Sequence, residues 1–241
     1  MTVDQTCRRL ADLRLAGMLQ AFEQQNTSPA FADMAFVDRL EHLLLAEQHH
    51  RDARSRERLI SRARFKHKAD PRDIRFDEGR GLERAYMAEL LTCEWVKRAD
   101  NLLLSGAAGT GKTWIGCALG MAAISLGLSV RYVRTNPTLE EMRLAHLDGS
   151  ISKLRSALVK ADLLILDDFG LAPICEQAKE DLLELLEGRI DIGATMVIGQ
   201  LAPSEWHGYL DSPHMADAIM DRLVQRAHRI PLKGGSMRQR R

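Results

Sequence analysis

Three leucines, Leu102-Leu103-Leu104, run into Ser105-Gly106-Ala107-Ala108-Gly109-Thr110-Gly111-Lys112-Thr113. That junction constrains the chain more than any other stretch of its 241 residues. A short apolar run bounded by glycine reads as a buried strand. Gly106 to Thr113 keep the spacing G-x-x-x-x-G-K-T, and Trp114, Ile115, Ala118 and Leu119 then recur at helical spacing. Strand, glycine-rich turn and helix start, in that order, make a phosphate-binding loop.

Each residue type in the loop has a physical reason. Glycine admits backbone conformations closed to residues with a Cβ, so successive N–H groups can turn inward. With the N-terminus of the next helix they form a nest for an anion. Lys112 brings a full positive charge to the β- and γ-phosphates, and the Thr113 hydroxyl is placed to ligate magnesium. The nucleotide contacts expected are Gly106, Ala107, Ala108, Gly109, Thr110, Gly111, Lys112, Thr113 and Trp114.

The run Leu163-Leu-Ile-Leu-Asp-Asp-Phe-Gly170 supplies the second half of such a site. A buried strand that ends in two acids delivers carboxylates to the C-terminal edge of a sheet, where open α/β sheets bind ligands. Asp167 is expected to hold the magnesium and Asp168 to orient the attacking water. A third apolar run, Ala194-Thr-Met-Val-Ile-Gly-Gln200, ends in an amide able to sense the γ-phosphate, so Gln200 is the sensor candidate. Arg222, far along the chain, carries a guanidinium of the kind that stabilises a transferred phosphoryl group. Its natural target is the nucleotide of a neighbouring subunit.

From Asn101 onward, strand candidates (102–105, 129–135, 163–167, 194–200 and 229–232) alternate with helical patterns. That alternation implies a parallel sheet with helices on both faces. Residues 1 to about 68 read as helix, with Leu10, Leu13, Leu15, Met18, Leu19 and Phe22 forming one pattern up to Asn26-Thr-Ser-Pro29 and Phe36, Val37, Leu40, Leu43, Leu44 and Leu45 a second. Ala69-Asp-Pro-Arg72 breaks the helical reading, because proline disfavours helix at the residue before it. Two domains are expected, 1–70 all-helical and 71–241 α/β.

Charge separates the chain into zones. From Arg51 to Arg72 there are nine Lys or Arg against three acids, and from Arg222 to Arg241 seven against none, which leaves the remainder acidic. Arg51, Arg54, Arg58 and Arg62 recur at helical spacing, and Arg56, Arg64, Lys66 and Lys68 widen the patch. Such a face can neutralise several DNA phosphates and release counterions without reading bases. Lys233, Arg238, Arg240 and Arg241 could add contacts. The hydrophobic share of 45% is ordinary for a globular chain. No apolar run approaches a membrane span, and no signal-peptide core opens the sequence, so a cytoplasmic location is expected. Four scattered cysteines without a C-x-x-C pair read as reduced thiols.

Taken together, the phosphate loop, the Asp167-Asp168 strand and Asp221-Arg-Leu resemble AAA+ ATPases of the replication-initiator clade. The segments Leu13-Arg-Leu-Ala-Gly-Met18, Asp73-Ile-Arg-Phe76, Gly81-Leu-Glu-Arg84, Gln200-Leu-Ala-Pro-Ser-Glu-Trp-His207 and Arg226 to Arg238 look more specifically like IstB, the ATP-binding transposition helpers of bacterial insertion sequences. The resemblance covers nearly the whole chain. It implies an AAA+ P-loop core without a separate lid domain, preceded by a helical DNA-binding and oligomerisation domain. It also implies ATP and Mg2+ as cofactors and sequence-nonspecific binding of double-stranded DNA. Assembly into a homo-oligomer with the arginine finger Arg222 acting in trans, and service to a cognate transposase, are implied as well. Two departures stand out: Gln200 where many of the clade have Asn, and Asp168 where fast AAA+ ATPases have Glu. The shorter carboxylate implies slow turnover. A replicative helicase loader is the alternative, with the arginine-rich stretch favouring the DNA-binding helper. A small-molecule kinase would need an acceptor pocket and a mobile lid, neither of which the sequence offers.

Overall fold

The computed structural model describes residues 2–77 and 79–237; Arg238, Arg240 and Arg241 of the basic tail lie outside them. Two compact units divide between Arg58 and Leu59. The division falls inside a long helix, upstream of the proline break at residues 69–72.

The smaller unit holds α1 (Val3–Asp12), α2 (Ala16–Thr27) and most of α3 (Phe36–Ala63). The single helical pattern expected from Leu10 to Phe22 is in fact two helices. Arg14 takes a left-handed φ of 58° and Leu15 N–H closes back on Leu10 O, which ends α1 and restarts the chain as α2. The buried face of α2 is Gly17, Ala21 and Gln25. Glu47 of α3 caps it, its Oε2 accepting the Gly17 and Met18 N–H groups at 2.8 and 3.2 Å while Arg51 Nε donates to Oε1 at 2.7 Å. A Cβ on Gly17 would lie 2.5 Å from Ala46 O, so only glycine allows this approach. Burial by itself raises the Glu47 pKa, but the hydrogen bonds from Arg51, Met18 and Gly17 together hold it below the usual carboxylate value. Gln25 donates to the Arg39 carbonyl at 2.8 Å and accepts from Arg39 Nε at 3.2 Å, a second polar tie between α2 and α3.

The larger unit is built on five parallel strands: β1 (Asn101–Gly106), β2 (Val130–Arg134), β3 (Leu163–Phe169), β4 (Ala194–Gly199) and β5 (Ala227–Leu232), in the order β2-β3-β4-β1-β5. These are the five stretches that apolar patterning marks as strands. The central ones are apolar without alternation because both faces are covered. Leu102 and Leu104 enter one core layer and Leu103 the other; Ile165, Met196 and Ile198 join the first, Leu164, Leu166 and Val197 the second. α4 (Arg84–Leu91), α5 (Glu94–Lys97) and α6 (Lys112–Ser125) cover the first face, together with Ala63, Ala69 and Ile74. The second face carries α7 (Thr135–Leu147), α8 (Ile151–Val159), α9 (Glu176–Glu187), α10 (Trp206–Leu210) and α11 (Pro213–Val224). No described helix is long and apolar enough to cross a membrane.

Candidate nucleotide site

β1 ends at Gly106 and α6 begins at Lys112, so the loop between them sits at the C-terminal edge of the sheet. Its glycines Gly106, Gly109 and Gly111 all have positive φ, at 142, 85 and 91°. Gly106 has a second constraint: a Cβ there would run into the Leu232 carbonyl of neighbouring β5. The loop is braced from within, as buried Thr110 donates its hydroxyl to Ala107 O at 2.9 Å. Lys112 Nζ lies inside the loop, donating to Gly106 O at 2.7 Å and Ala107 O at 2.8 Å.

β3 brings its two acids to the same edge in different states. Asp167 is 1% exposed and fully engaged. Its Oδ2 accepts the Tyr132 hydroxyl at 2.6 Å, and its Oδ1 accepts the Asp168 N–H at 2.8 Å and the Thr113 hydroxyl at 3.3 Å. Burial and then the Asp167 carboxylate push the Tyr132 phenol well above its ordinary pKa, so it remains a donor. Asp168 has a left-handed φ of 59°, where the register of β3 against β4 shifts between Leu166 and Phe169. Bulges beside active sites re-aim a side chain in this way, and strain collects at such positions.

Lys112, Thr113, Trp114, Asp167, Asp168 and Gln200 line one cavity of about 410 Å³, with Ala108, Gly109 and Gly111. Gly106, Ala107 and Thr110 shape it from behind through the bonds just described. Other walls went unforeseen. Lys66, His67, Asp73, Arg75 and Arg80 come from the chain ahead of the sheet, and Met237 from beyond β5. Arg80 is buried; its Nη2 donates to Thr110 O at 2.9 Å and its Nη1 to Arg75 O, and burial lowers its pKa. Lys233 N–H donates to Arg80 O at 2.8 Å and Met237 N–H to Gly109 O at 2.9 Å, so segments before and after the strands in the chain meet at the loop.

The donor set suits a small hard cation. Thr113 and Asp167 offer one hydroxyl and one carboxylate side by side, and no group of three or more His, Cys, Asp or Glu among the described residues forms a closed metal cage. Magnesium is held in just this way, by one or two carboxylates with substrate phosphates and water completing the shell.

Arg222 lies elsewhere. Asn101, the first residue of β1, donates to Arg222 O at 2.7 Å, which places Arg222 at the N-terminal edge of the sheet, about 20 Å from the loop for six residues of strand. Its guanidinium bonds Glu187 Oε1 at 3.0 Å and Ala218 O at 3.1 Å and lines a separate cavity of about 250 Å³ with Arg189 and Thr195. It does not reach the triphosphate site of its own chain.

The basic stretch is solvent-facing. Arg51, Arg54, Arg58, Arg62, Arg64 and Lys68 are exposed, and of these only Arg51 has a carboxylate partner among the described residues. Arg64, at φ 56°, leaves α3 in a left-handed turn. Lys66 is partly exposed but lines the cavity, 4.0 Å from Asp168 Oδ2.

Known proteins share both the fold and the sequence. An insertion-sequence ATP-binding protein by name, y4pL of Sinorhizobium fredii, is 38% identical over 99% of this chain and 98% of its own length. The protein named for ATP binding in insertion sequence IS1162 of Pseudomonas fluorescens is 42% identical over 85% and 89%. Among solved structures, DnaI superposes with a TM-score of 0.62 at 20% identity, covering 69% of this chain and 92% of that one. The DnaC helicase loader gives 0.58 at 14%, covering 68% and 97%. These two show a common AAA+ P-loop fold. The family described as IstB-like ATP binding protein matches residues 8–241; the chain belongs to that family.

Proposed function

We propose that this chain is a magnesium-dependent ATPase that assembles on duplex DNA and assists a transposase. The observation that carries the reading is the meeting of Lys112, Thr113, Asp167, Asp168 and Gln200 in one cavity at the sheet's C-terminal edge. In this reading the loop amides and Lys112 grip the β- and γ-phosphates, and Thr113 and Asp167 hold the metal. A bound magnesium ion would draw charge from the phosphate oxygens. Asp168, aimed by its bulge, orients water toward the terminal phosphorus. The new P–O bond forms as the bond to the bridging oxygen breaks, and the water's proton leaves through Asp168 to solvent. Gln200 reads the terminal phosphate. Arg222, remote from its own site, serves the nucleotide of a neighbouring copy. The single-methylene reach of Asp168 favours slow turnover.

DNA affinity is assigned to the exposed arginines Arg54, Arg58, Arg62 and Arg64, with Arg51 and Lys68 beside them. The transposase is inferred from relatives named for insertion sequences and matched over nearly their whole length. The likeness to DnaI and DnaC favours a second reading, helicase loading, but at 14–20% identity it speaks for the fold alone.

Titration with a labelled ATP analogue tests the core of the reading. Saturable magnesium-dependent uptake is expected, along with ATP-dependent assembly on duplex DNA. Lys112→Ala should abolish both. No saturable uptake by the intact folded chain would overturn the assignment. Stimulation of strand transfer by the cognate transposase, against loading of a hexameric helicase, separates the two biological readings.

A further inference from the structure

Part of the basic run from Arg51 to Lys68 borders the nucleotide cavity. Within the larger unit, buried Ala63 ends α3, Phe65 packs its ring against the α6 backbone at Gly120, and Ala69 is buried again. A Cβ on Gly120 would lie 2.6 Å from Phe65 Cε1, so that contact is close. Between these anchors Lys66 and His67, though exposed, border the nucleotide cavity with Lys112, Asp168 and Gln200.

The cavity's other lysine and its arginines each make a closer contact of their own. Lys112 bonds the Gly106 and Ala107 carbonyls, Arg80 those of Thr110 and Arg75, and Arg75 pairs with Asp77 at 3.3 Å. Lys66 differs. Its ammonium stands 4.0 Å from Asp168 Oδ2, at the outer limit of an ion pair, on a side chain that is still 41% exposed. Such a pair contributes little and is readily exchanged for a stronger anion. In the nucleotide reading Asp168 faces the terminal phosphate, so a cation beside Asp168 stands near that phosphate. Asp73, Asp167 and Asp168 also line this cavity, and Lys66 adds a positive charge at that end to the one Lys112 supplies.

We propose that Lys66 is a ligand, within its own chain, of the terminal phosphate of bound nucleotide, exchanging its Asp168 partner for that phosphate. The proposal rests on the nucleotide reading of the cavity and adds to it a residue outside the phosphate loop and the strand-end acids. A cation that touches only the terminal phosphate separates triphosphate from diphosphate. The unoccupied lysine would rest on Asp168, so arrival of the triphosphate also releases the carboxylate that orients water.

The test is equilibrium titration of the full chain, with magnesium, against ADP and against the β,γ-imido analogue of ATP. For Lys66→Ala the expectation is about tenfold weaker binding of the analogue with ADP affinity held within about twofold, the size of one lost partly exposed phosphate contact. Lys66→Arg should restore most of the discrimination. Equal loss for both nucleotides would assign Lys66 a structural role, and no change for either would return it to the DNA surface; both results overturn the proposal. Wild-type chain that binds neither nucleotide would instead sink the underlying reading, a result distinct from either.

Discussion

Tyr132→Phe removes one oxygen atom, and the geometry around that oxygen sets the expected loss. The hydroxyl donates to Asp167 Oδ2 at 2.6 Å, with Tyr132 6% and Asp167 1% exposed. That length is typical of a hydroxyl bonded to an ionised carboxylate. A hydrogen bond to a charged group contributes about 1.5–3 kcal/mol net, and the upper part of that range applies where the partner stays buried without replacement. Oδ2 has no other bond among the described residues, while Oδ1 keeps the Asp168 N–H and the Thr113 hydroxyl. A loss of about 2–3 kcal/mol is therefore expected. For a unit of roughly 150–250 residues each kcal/mol moves the melting temperature by about 2–4 °C, so Tm should fall by about 4–12 °C.

Tyr86→Phe is the matched control. Its hydroxyl meets His228 Nδ1 at 2.8 Å in the same unit, a bond between side chains less deeply buried, and its loss should cost about 1 kcal/mol. Scanning calorimetry of the three proteins in chelator reads the stability difference. If Tyr132→Phe melts no lower than Tyr86→Phe, the bond to Asp167 contributes no more than the Tyr86 bond, and the reasoning fails. A second arm tests the metal role. Outer-shell partners of a metal ligand typically tune affinity by about 10–100-fold, so the magnesium concentration that half-saturates analogue binding should rise at least about tenfold in Tyr132→Phe and not in Tyr86→Phe.

Two further outcomes are expected. Replacing Arg54, Arg58 and Arg62 with Ala should reduce the slope of log affinity for duplex DNA against log salt by about 2–3, since each phosphate contact contributes about 0.9; an unchanged slope would place the DNA elsewhere. Glu47→Gln should destabilise the smaller unit at neutral pH by about 1 kcal/mol, the usual worth of a helix cap. Because the folded Glu47 pKa is depressed, its contribution is complete above the unfolded carboxylate value and is lost as pH falls through the folded one. The gap between wild type and variant in chemical denaturation should therefore close on acidification below about pH 4. A gap constant down to about pH 2 would mean that charge has no part in the cap.

What could be read in the sequence is what local chemistry encodes. Leu102–Thr113 carries its strand, turn and helix start in consecutive residues, and the Asp167-Asp168 pair announces itself at the end of an apolar run. Other features had no local signal. Helical spacing continues from Phe36 to Ala63, so nothing within it marks where the chain changes packing partner between Arg58 and Leu59. The turn at Arg14 lies within an otherwise unbroken apolar pattern, and the start of α2 beyond it depends for its cap on Glu47, distant in sequence. Tyr132 reads as an ordinary strand residue until β2 is laid beside β3, where Arg134 pairs with Asp167 and the phenol two residues earlier reaches the carboxylate.

The cavity walls that the sequence did not announce share a cause. Lys66, His67 and Arg80 lie in a polar, basic stretch, and composition alone assigns such residues to solvent. Their placement is decided instead by neighbours too few and too irregular to form a pattern: Phe65 against Gly120, Ala69 and Ile74 in the core, Arg80 tied to Thr110. A phosphate loop and two strand-end acids are common to many nucleotide hydrolases, so they specify the chemistry without specifying its control. Further walls of this cavity come from chain segments before and after the strands, where Arg80 bonds Thr110 O, Met237 N–H bonds Gly109 O and Lys233 N–H ties the two segments together at Arg80 O. A mechanical change in either segment acts on the loop through one or two hydrogen bonds. Discrimination between nucleotides should therefore respond to substitution of exposed Lys66, read by the two-nucleotide titration, while the melting temperature, which rests on the strands, does not.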